Sequence, residues 1–189
     1  MTSRSSPNEV EIKFMVASIP ELTKKLKAAG FRPVTKRTHE DNTLYDFPDG
    51  ALRHRGEVLR LRKYGKKWKV THKGKVAPGR HKSRPEAESE VRDVEQVRSV
   101  FQQLGLGPVF RYEKFRAEWA DKHGHVVIDQ TPIGDFGEIE GPPKWIDSTA
   151  KKLGIRRAQY ITKSYAGLFQ EWKHRTHSRA DNMTWEETA

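Results

Sequence analysis

The 189-residue chain has no cysteine. That absence excludes disulfides and thiolate metal sites, and it leaves carboxylates and histidine as the metal ligands on offer. A chain without disulfides also fits the cytoplasm. Apolar residues are sparse, 34% of the chain against 32% charged, which excludes a large all-apolar core. No apolar run is long enough to span a membrane, and the opening MTSRSSPN lacks the apolar stretch of a signal peptide, so residues 1–8 read as a loose polar tail. Acid is short relative to base. The net charge of +11 calls for an anionic partner: nucleic acid, a membrane surface or a phosphorylated small molecule. Aromatics are not lacking. Five Trp, eight Phe and five Tyr exclude a wholly disordered chain, and the length suits one domain with tails.

Helix signals are local and clear. Ser18 and Glu21 form a capping box ahead of the stripe Ile19, Leu22, Leu26 and Ala29, and Gly30 ends it. Asp93, the stripe Val94, Val97, Phe101 and Leu104, and the stop at Gly105 repeat the design. A shorter helix is expected over IDSTAKKLG and a last one over TKSYAGLFQEWKHR, where Tyr165, Leu168, Phe169 and Trp172 share a packed face. Residues 174–189 read as a second polar, mobile tail. Strands are expected over EVEIKF, EVLRLRKY, KKWKVTHKG, RPEAESEV, PVFRYEKFRAEW, GHVVIDQT and DFGEIEG, with turns between them short enough for antiparallel neighbours. The HGH of His123 to His125 reads as one of those turns and not as a metal site. A charged strand followed by a helix occurs twice, from Glu9 to Gly30 and from Glu86 to Gly105.

The strands share a habit. In a strand, alternate residues face one side, and on one side of each strand the alternates are charged. The acids are Glu9, Glu11, Glu86, Glu88, Asp129, Glu138 and Glu140; the bases are Lys13, Arg60, Arg62, Lys73, Arg84, Lys114 and Arg116. Seven acids match seven bases in an otherwise basic chain. The opposite faces are apolar and suit the amphipathic helices. If the sheet curls closed with helices outside, the charges line its interior. Such an interior cannot be dry, because each unpaired buried ion costs several kcal/mol. A wet tunnel for a charged ligand resolves the conflict. Arg and Lys suit phosphate oxygens, and clustered carboxylates suit a hard divalent ion, Mg²⁺ or Mn²⁺.

The ordered set EVEIK, LRLR, THKG, RPEAESEV, EKFR, VVIDQTPIGDFGEIEG and KSYAGL resembles the CYTH superfamily, the triphosphate tunnel metalloenzymes. The resemblance runs from about Glu9 to Trp172 and implies an α+β fold: an eight-stranded antiparallel β-barrel tunnel with helices packed on the outside, occupying 9–173. It implies a small-molecule triphosphate substrate and one or two divalent ions. By it, Glu9 and Glu11 fall on the acids of the E-x-E-x-K motif and Lys13 on its substrate-binding lysine. Arg60, Arg62, Lys73, Lys114 and Arg116 fall on phosphate-binding positions, with Arg84 beside them and Lys163 near the C-terminal helix. Glu138 and Glu140 fall on metal-binding acids, supported by Asp129 and Glu86 or Glu88; Lys13, Glu138 and Glu140 are the expected catalytic set. His72 points away from the tunnel by alternation.

Three functions fit this reading. Triphosphate hydrolysis, of an inorganic or organic triphosphate, needs only water and a metal. A class IV adenylyl cyclase, which RPEAESEVRD and IGDFGEIEG also resemble, converts ATP to cyclic AMP and pyrophosphate in such a tunnel. An inactive binder of polyphosphate or nucleic acid is the rival of a different class. Against nucleic acid stand the paired glutamates, which repel a phosphate backbone, and the lack of an aromatic single-strand platform or base-reading motif. The sequence leaves monomer and homodimer open.

Overall fold

A computed structural model describes residues 8–189. The N-terminal tail expected over 1–8 lies outside that range apart from Asn8, which begins the first strand. Eight strands, β1 (Asn8–Met15), β2 (Arg32–Asp46), β3 (Val58–Tyr64), β4 (Lys67–Lys73), β5 (Lys82–Val91), β6 (Gly107–Ala120), β7 (His125–Thr131) and β8 (Gly134–Glu140), close into a barrel in the order β1-β5-β4-β3-β2-β6-β7-β8. Every pairing is antiparallel. The two strand–helix repeats of the sequence place β1 and β5 side by side, with Glu9 opposite Arg84.

Helices cover two outer flanks. α1 (Ile19–Ala28) starts where the Ser18 hydroxyl accepts the Glu21 N–H, and α4 (Pro143–Leu153) starts with proline at its first position, where no N–H is needed. Leu22 and Leu26 of α1 and Ile146, Ala150 and Leu153 of α4 bury the outward faces of β1, β7 and β8, chiefly Ile12, Phe14, Val126, Ile128 and Ile139. On the other flank, α2 (Ala51–Arg55) and α3 (Val94–Gln103) cover Tyr45 and Leu61 with Leu52 and Phe101. α3 is capped by Asp93, as expected. The packing between β1 and β8 leaves no slack: a Cβ on Gly137 would lie 2.1 Å from Phe14 Cζ.

Three elements depart from the sequence reading. β2 is a full strand where none was expected, because its polar residues fall on both faces and its outer face is only partly covered by helices. α2 follows the turn at residues 47–50 and was not expected; the Asp46 carboxylate accepts the N–H groups of Leu52 and Arg53, which gives this five-residue helix its start. The C-terminal segment, expected to be a mobile tail, is instead docked. α5 (Tyr165–Thr176) runs past the expected boundary at 173, and the chain then returns along the side of β6 to a last turn, α6 (Trp185–Thr188). Met183 is fully buried there, its N–H donating to the Arg111 carbonyl while its own carbonyl accepts the Glu113 N–H. β7 pairs only with the stretch of β6 from Phe115 onward, so the returning segment satisfies an edge that β7 leaves open.

Candidate active site

Strand alternation directs the charged residues inward. β1 contributes Glu9, Glu11 and Lys13; β3, Arg60 and Arg62; β4, Lys69 and Lys73; β5, Lys82, Arg84, Glu86 and Glu88; β6, Lys114, Arg116 and Glu118; β8, Glu138 and Glu140. They line one continuous cavity of about 1170 Å³ whose wall carries ten acidic and ten basic side chains. Six of the seven acids and all seven bases expected from the sequence line this cavity, Asp129 being the exception, and further charged residues line it beside them.

Buried ions are tolerable only when paired and hydrogen-bonded, and the deepest of them pair in three groups. Lys13 Nζ lies 2.8 Å from Glu138 and 3.0 Å from Glu11, while Lys82 lies 2.5 Å from Glu11. Beside this group, Glu9 takes Lys73 at 2.7 Å and Arg84 at 3.2 Å, and Lys73 also reaches Glu86 at 2.9 Å. Across the barrel, Asp129 accepts from Lys114 at 3.0 Å, from both sides of the Arg116 fork, and from the Tyr165 hydroxyl at 2.6 Å. Arg116 joins the first and last groups through Glu138 at 2.6 Å. Nearer the opening, Glu88 holds Arg62, Lys69 and Thr71.

Electrostatics follow this pairing. Burial opposes the charge on Lys13, but Glu11 and Glu138 outweigh it and raise its pKa. Burial likewise opposes ionised Glu138, and Lys13 and Arg116 hold it well below the usual carboxylate range. Lys82 is pushed down to about 8 by burial and by the like charge of Lys13. Glu140 differs from the rest. It stands at the mouth without an ion pair among the described residues, and the confined site together with Glu9, Glu11 and Glu138 pushes it up to about 7.

Several polar atoms of this wall are left over. Arg60 Nε, Arg62 Nε, Glu40 Oε2 and Asn42 Oδ1 are buried without a hydrogen-bond partner. Orphaned buried donors are rare unless a ligand or water serves them; Arg60 and Arg62 line the cavity, whereas Glu40 and Asn42 lie fully buried behind its wall.

The placement of the expected residues divides them. Lys13, Arg60, Arg62, Lys73, Arg84, Lys114, Arg116, Glu9, Glu11, Glu86, Glu88, Glu138 and Glu140 all line the cavity. Lys163 does not, which corrects its assignment to the substrate: its side chain is exposed and paired with Glu171 on the outer side of α5. Asp129 is fully buried behind the wall and does not line the cavity; its oxygens accept from Lys114, Arg116 and Tyr165. Glu86 and Glu88 are likewise engaged with Lys73 and with Arg62 and Lys69. His72 points outward toward Glu57, as alternation required. His123 and Gly124 form the expected turn, with Asp121 accepting both N–H groups, while His125 begins β7 and lines the cavity.

Lys69 and Lys82 were not among the expected residues, although they continue the parity of Lys73 by two steps and of Arg84 by one. The sequence reading missed Glu40 and Asn42 with the whole of β2. Tyr112 and Tyr165 were hidden by being aromatic; Tyr112 lies 3.3 Å from Arg60 in the same wall.

Among the described residues, no three acidic or histidine side chains already stand in a metal-holding cluster. The donor chemistry nevertheless fits a hard divalent ion. Glu9, Glu11, Glu138 and Glu140 offer carboxylate oxygens at one end of the cavity, and Glu140 has no direct ion pair among the described residues, its burial and acidic neighbours outweighing the attraction of Lys73.

The family model for the CYTH domain matches residues 7–165. A Methanocaldococcus jannaschii protein, provisionally named an adenylate cyclase, is 28% identical over 171 residues, covering 85% of this chain and 97% of that protein. A solved structure from Vibrio parahaemolyticus, also provisionally named an adenylate cyclase, is similar with a TM-score of 0.78 at 17% identity, covering 87% of this chain and 99% of that one. A Hippeastrum protein with the same provisional name, reported to have a dominant triphosphatase activity, has a TM-score of 0.63 at 18% identity over 86% of this chain and 95% of its own.

Proposed function

This chain belongs to the CYTH domain family, and on that premise we propose that its tunnel binds a triphosphate and hydrolyses a phosphoanhydride bond with the help of a divalent ion. One observation carries the reading most: the Arg60 and Arg62 Nε–H groups are buried without protein partners in two side chains that line the cavity, and so remain available to phosphate oxygens. Arg forks match phosphate oxygens in charge and geometry. In the ligand-free wall the remaining bases rest on carboxylates, and a triphosphate replaces those carboxylates as their partner.

Lys13, Arg60, Arg62, Lys73, Arg84, Lys114 and Arg116 hold the phosphates in line, and Asp129 with Tyr165 keeps Lys114 and Arg116 in place. A water oxygen forms a bond to the terminal phosphorus while the bridging P–O bond breaks; the shortened phosphate chain leaves with the bridging oxygen, and the water gives up its proton to solvent at the open mouth. Charge growing on the phosphoryl and bridging oxygens is met by Lys13 and Arg116. Catalysis of this kind is mostly positioning and electrostatics. Glu9, Glu11, Glu138 and Glu140 would hold the divalent ion, which when bound polarises the reacting phosphoryl group. Lys13 pairs with Glu11 and Glu138, and so ties the phosphate side of the site to its acidic side.

A second reading, conversion of ATP to cyclic AMP and pyrophosphate, is favoured by the provisional names of the Methanocaldococcus and Vibrio relatives. Product analysis separates the two. Purified protein with Mg²⁺ or Mn²⁺ and a panel of triphosphates should release orthophosphate, and Glu138→Gln with Glu140→Gln should abolish turnover while retaining tripolyphosphate binding in chelator. Cyclic AMP with pyrophosphate would select the cyclase, and absence of both turnover and triphosphate binding would overturn the tunnel reading.

A further inference from the structure

Two inward rows of the tunnel wall end near the open mouth in an acid and a phenol. On β6 the row is Lys114, Arg116 and Glu118; on β3 it is Arg60, Arg62 and Tyr64, the last residue of that strand. Both Glu118 and Tyr64 line the cavity and are half-buried. Glu118 forms no ion pair among the described residues, because Arg116, its nearest base along the strand, turns to Asp129 and Glu138. The Tyr64 hydroxyl is buried without a hydrogen-bond partner. Burial raises its pKa, and the charge of the adjacent Glu118 raises it further, with Thr35 and Arg116 also close by, yet the hydroxyl completes no hydrogen bond with any of them. β7 sets the spacing to the acidic end. Val127 lies opposite Glu118 on one side and opposite Glu138 on the other. Glu118 and Glu138 therefore stand two strand spacings apart, about 10 Å, across an inward valine that neither donates nor accepts a hydrogen bond.

Lys13 and Arg116, which meet the charge of the reacting phosphoryl group, both pair with Glu138, and Glu118 lies one interior step beyond Arg116 toward the mouth. Glu11 and Glu138 are poor proton acceptors, since buried bases hold their pKa values well below the usual carboxylate range. Glu118 has no base committed to it in that way. We propose that Glu118 is the general base of the hydrolysis and that Tyr64 positions the attacking water between them. The inference rests on the hydrolytic reading of the tunnel and deepens it by naming the proton acceptor. The water accepts the Tyr64 O–H, gives one proton to a Glu118 carboxylate oxygen, and turns its other lone pair to the terminal phosphorus. As the new O–P bond forms, the bridging P–O bond breaks and its electron pair leaves with the shortened phosphate chain. Glu118 then passes the proton to solvent at the mouth, and the products are orthophosphate and that shortened chain.

The test follows orthophosphate release from tripolyphosphate and from ATP with Mn²⁺, beside dissociation constants for tripolyphosphate in chelator, with circular dichroism to confirm folding. Glu118→Gln should lower kcat about a hundredfold or more and leave tripolyphosphate binding undiminished. Glu118→Ala should lose as much and recover about tenfold or more when sodium formate supplies the missing carboxylate, while the glutamine variant, whose side chain still fills the place, gains nothing. Tyr64→Phe removes only the hydroxyl and should lower kcat about tenfold without raising KM. A folded Glu118→Gln that keeps the wild-type kcat overturns the assignment, and so does a folded Glu118→Ala that formate does not rescue. Where the alanine variant does not fold, the isosteric glutamine variant decides alone. Should neither fold, Tyr64→Phe with an unchanged kcat overturns the pair. If the wild type releases no orthophosphate from either substrate, or only pyrophosphate with cyclic AMP, the hydrolytic reading falls first and the base with it. That result is distinct from hydrolysis that survives the loss of Glu118.

Discussion

Tyr165 belongs to two structures at once. Its ring packs with Tyr112, Phe136 and Phe169, as the helical spacing of α5 requires, and its hydroxyl donates to Asp129 inside the ionic wall. The ammonium groups of Lys13 and Lys114 lie 5.1 and 4.7 Å from its ring centroid. Apolar spacing made the residue legible as core, but spacing says nothing about which neighbours lie across a barrel, so its part in the site was not legible. Tyr165→Phe keeps the ring beneath both lysines, and we expect triphosphate affinity to fall only a few-fold. Tyr165→Ala removes it, and because a desolvated cation–π contact contributes about 2 kcal/mol, affinity should fall about tenfold or more. Calorimetric titration with tripolyphosphate in chelator checks this; equal losses would assign the effect to the hydroxyl. Glu140 gives a prediction in pH. Its folded pKa of about 7 exceeds the unfolded value of about 4.3, so ionisation weighs against the folded state as pH rises between the two. Glu140→Gln should therefore stabilise the ligand-free protein at pH 8, and the gain should vanish as pH falls below about 4.3. Thermal melts across that range test it, and a gain that grew on acidification would contradict the sign.

Among elements, strands with one apolar face were the most readable. β1, β3 and β8 announce themselves because helix-covered and cavity-facing residues alternate, whereas β5 shows only its charged inner row, Pro85, Ala87 and Ser89 on its outer face being exposed. β2 does not, since its outer face is not covered along its whole length and polar residues there are as comfortable as those within. The eighth strand was accordingly implied by family resemblance and not by periodicity. The C-terminal segment failed for another reason: it is held by backbone groups and by one methionine, and neither makes a repeating pattern. Glu187 fixes Asn182 at 2.7 Å, and Asn182 accepts the Arg111 N–H at 2.8 Å. Met183→Ala removes a fully buried side chain and should cost about 2–5 kcal/mol of stability, read by urea denaturation. A loss under about 0.5 kcal/mol, the range of ordinary surface substitutions, would show that the segment is not part of the folded unit.

At the scale of the molecule, the sequence disclosed a charge-lined enclosure but not its wiring. Alternation tells which side chains face inward; it cannot tell that Glu9 meets Lys73 across 64 residues or that Arg116 bridges Asp129 and Glu138. Those partners depend on strand order and stagger, which closure alone determines. The wiring has a kinetic consequence. With ten acids against ten bases in the cavity wall, the formal charges there cancel, and the whole formal excess of +11 belongs to residues outside that wall. Long-range attraction is thus separated from short-range grip: the exterior draws a polyanion in, and the interior holds it by exchanging partners. Added salt screens the first over a Debye length of about 8 Å at 0.15 M and reaches the enclosed pairs far less. Stopped-flow capture of tripolyphosphate should slow steeply between 0.02 and about 0.3 M salt while its escape rate barely moves, so the protein would act as an antenna with a neutral receiver.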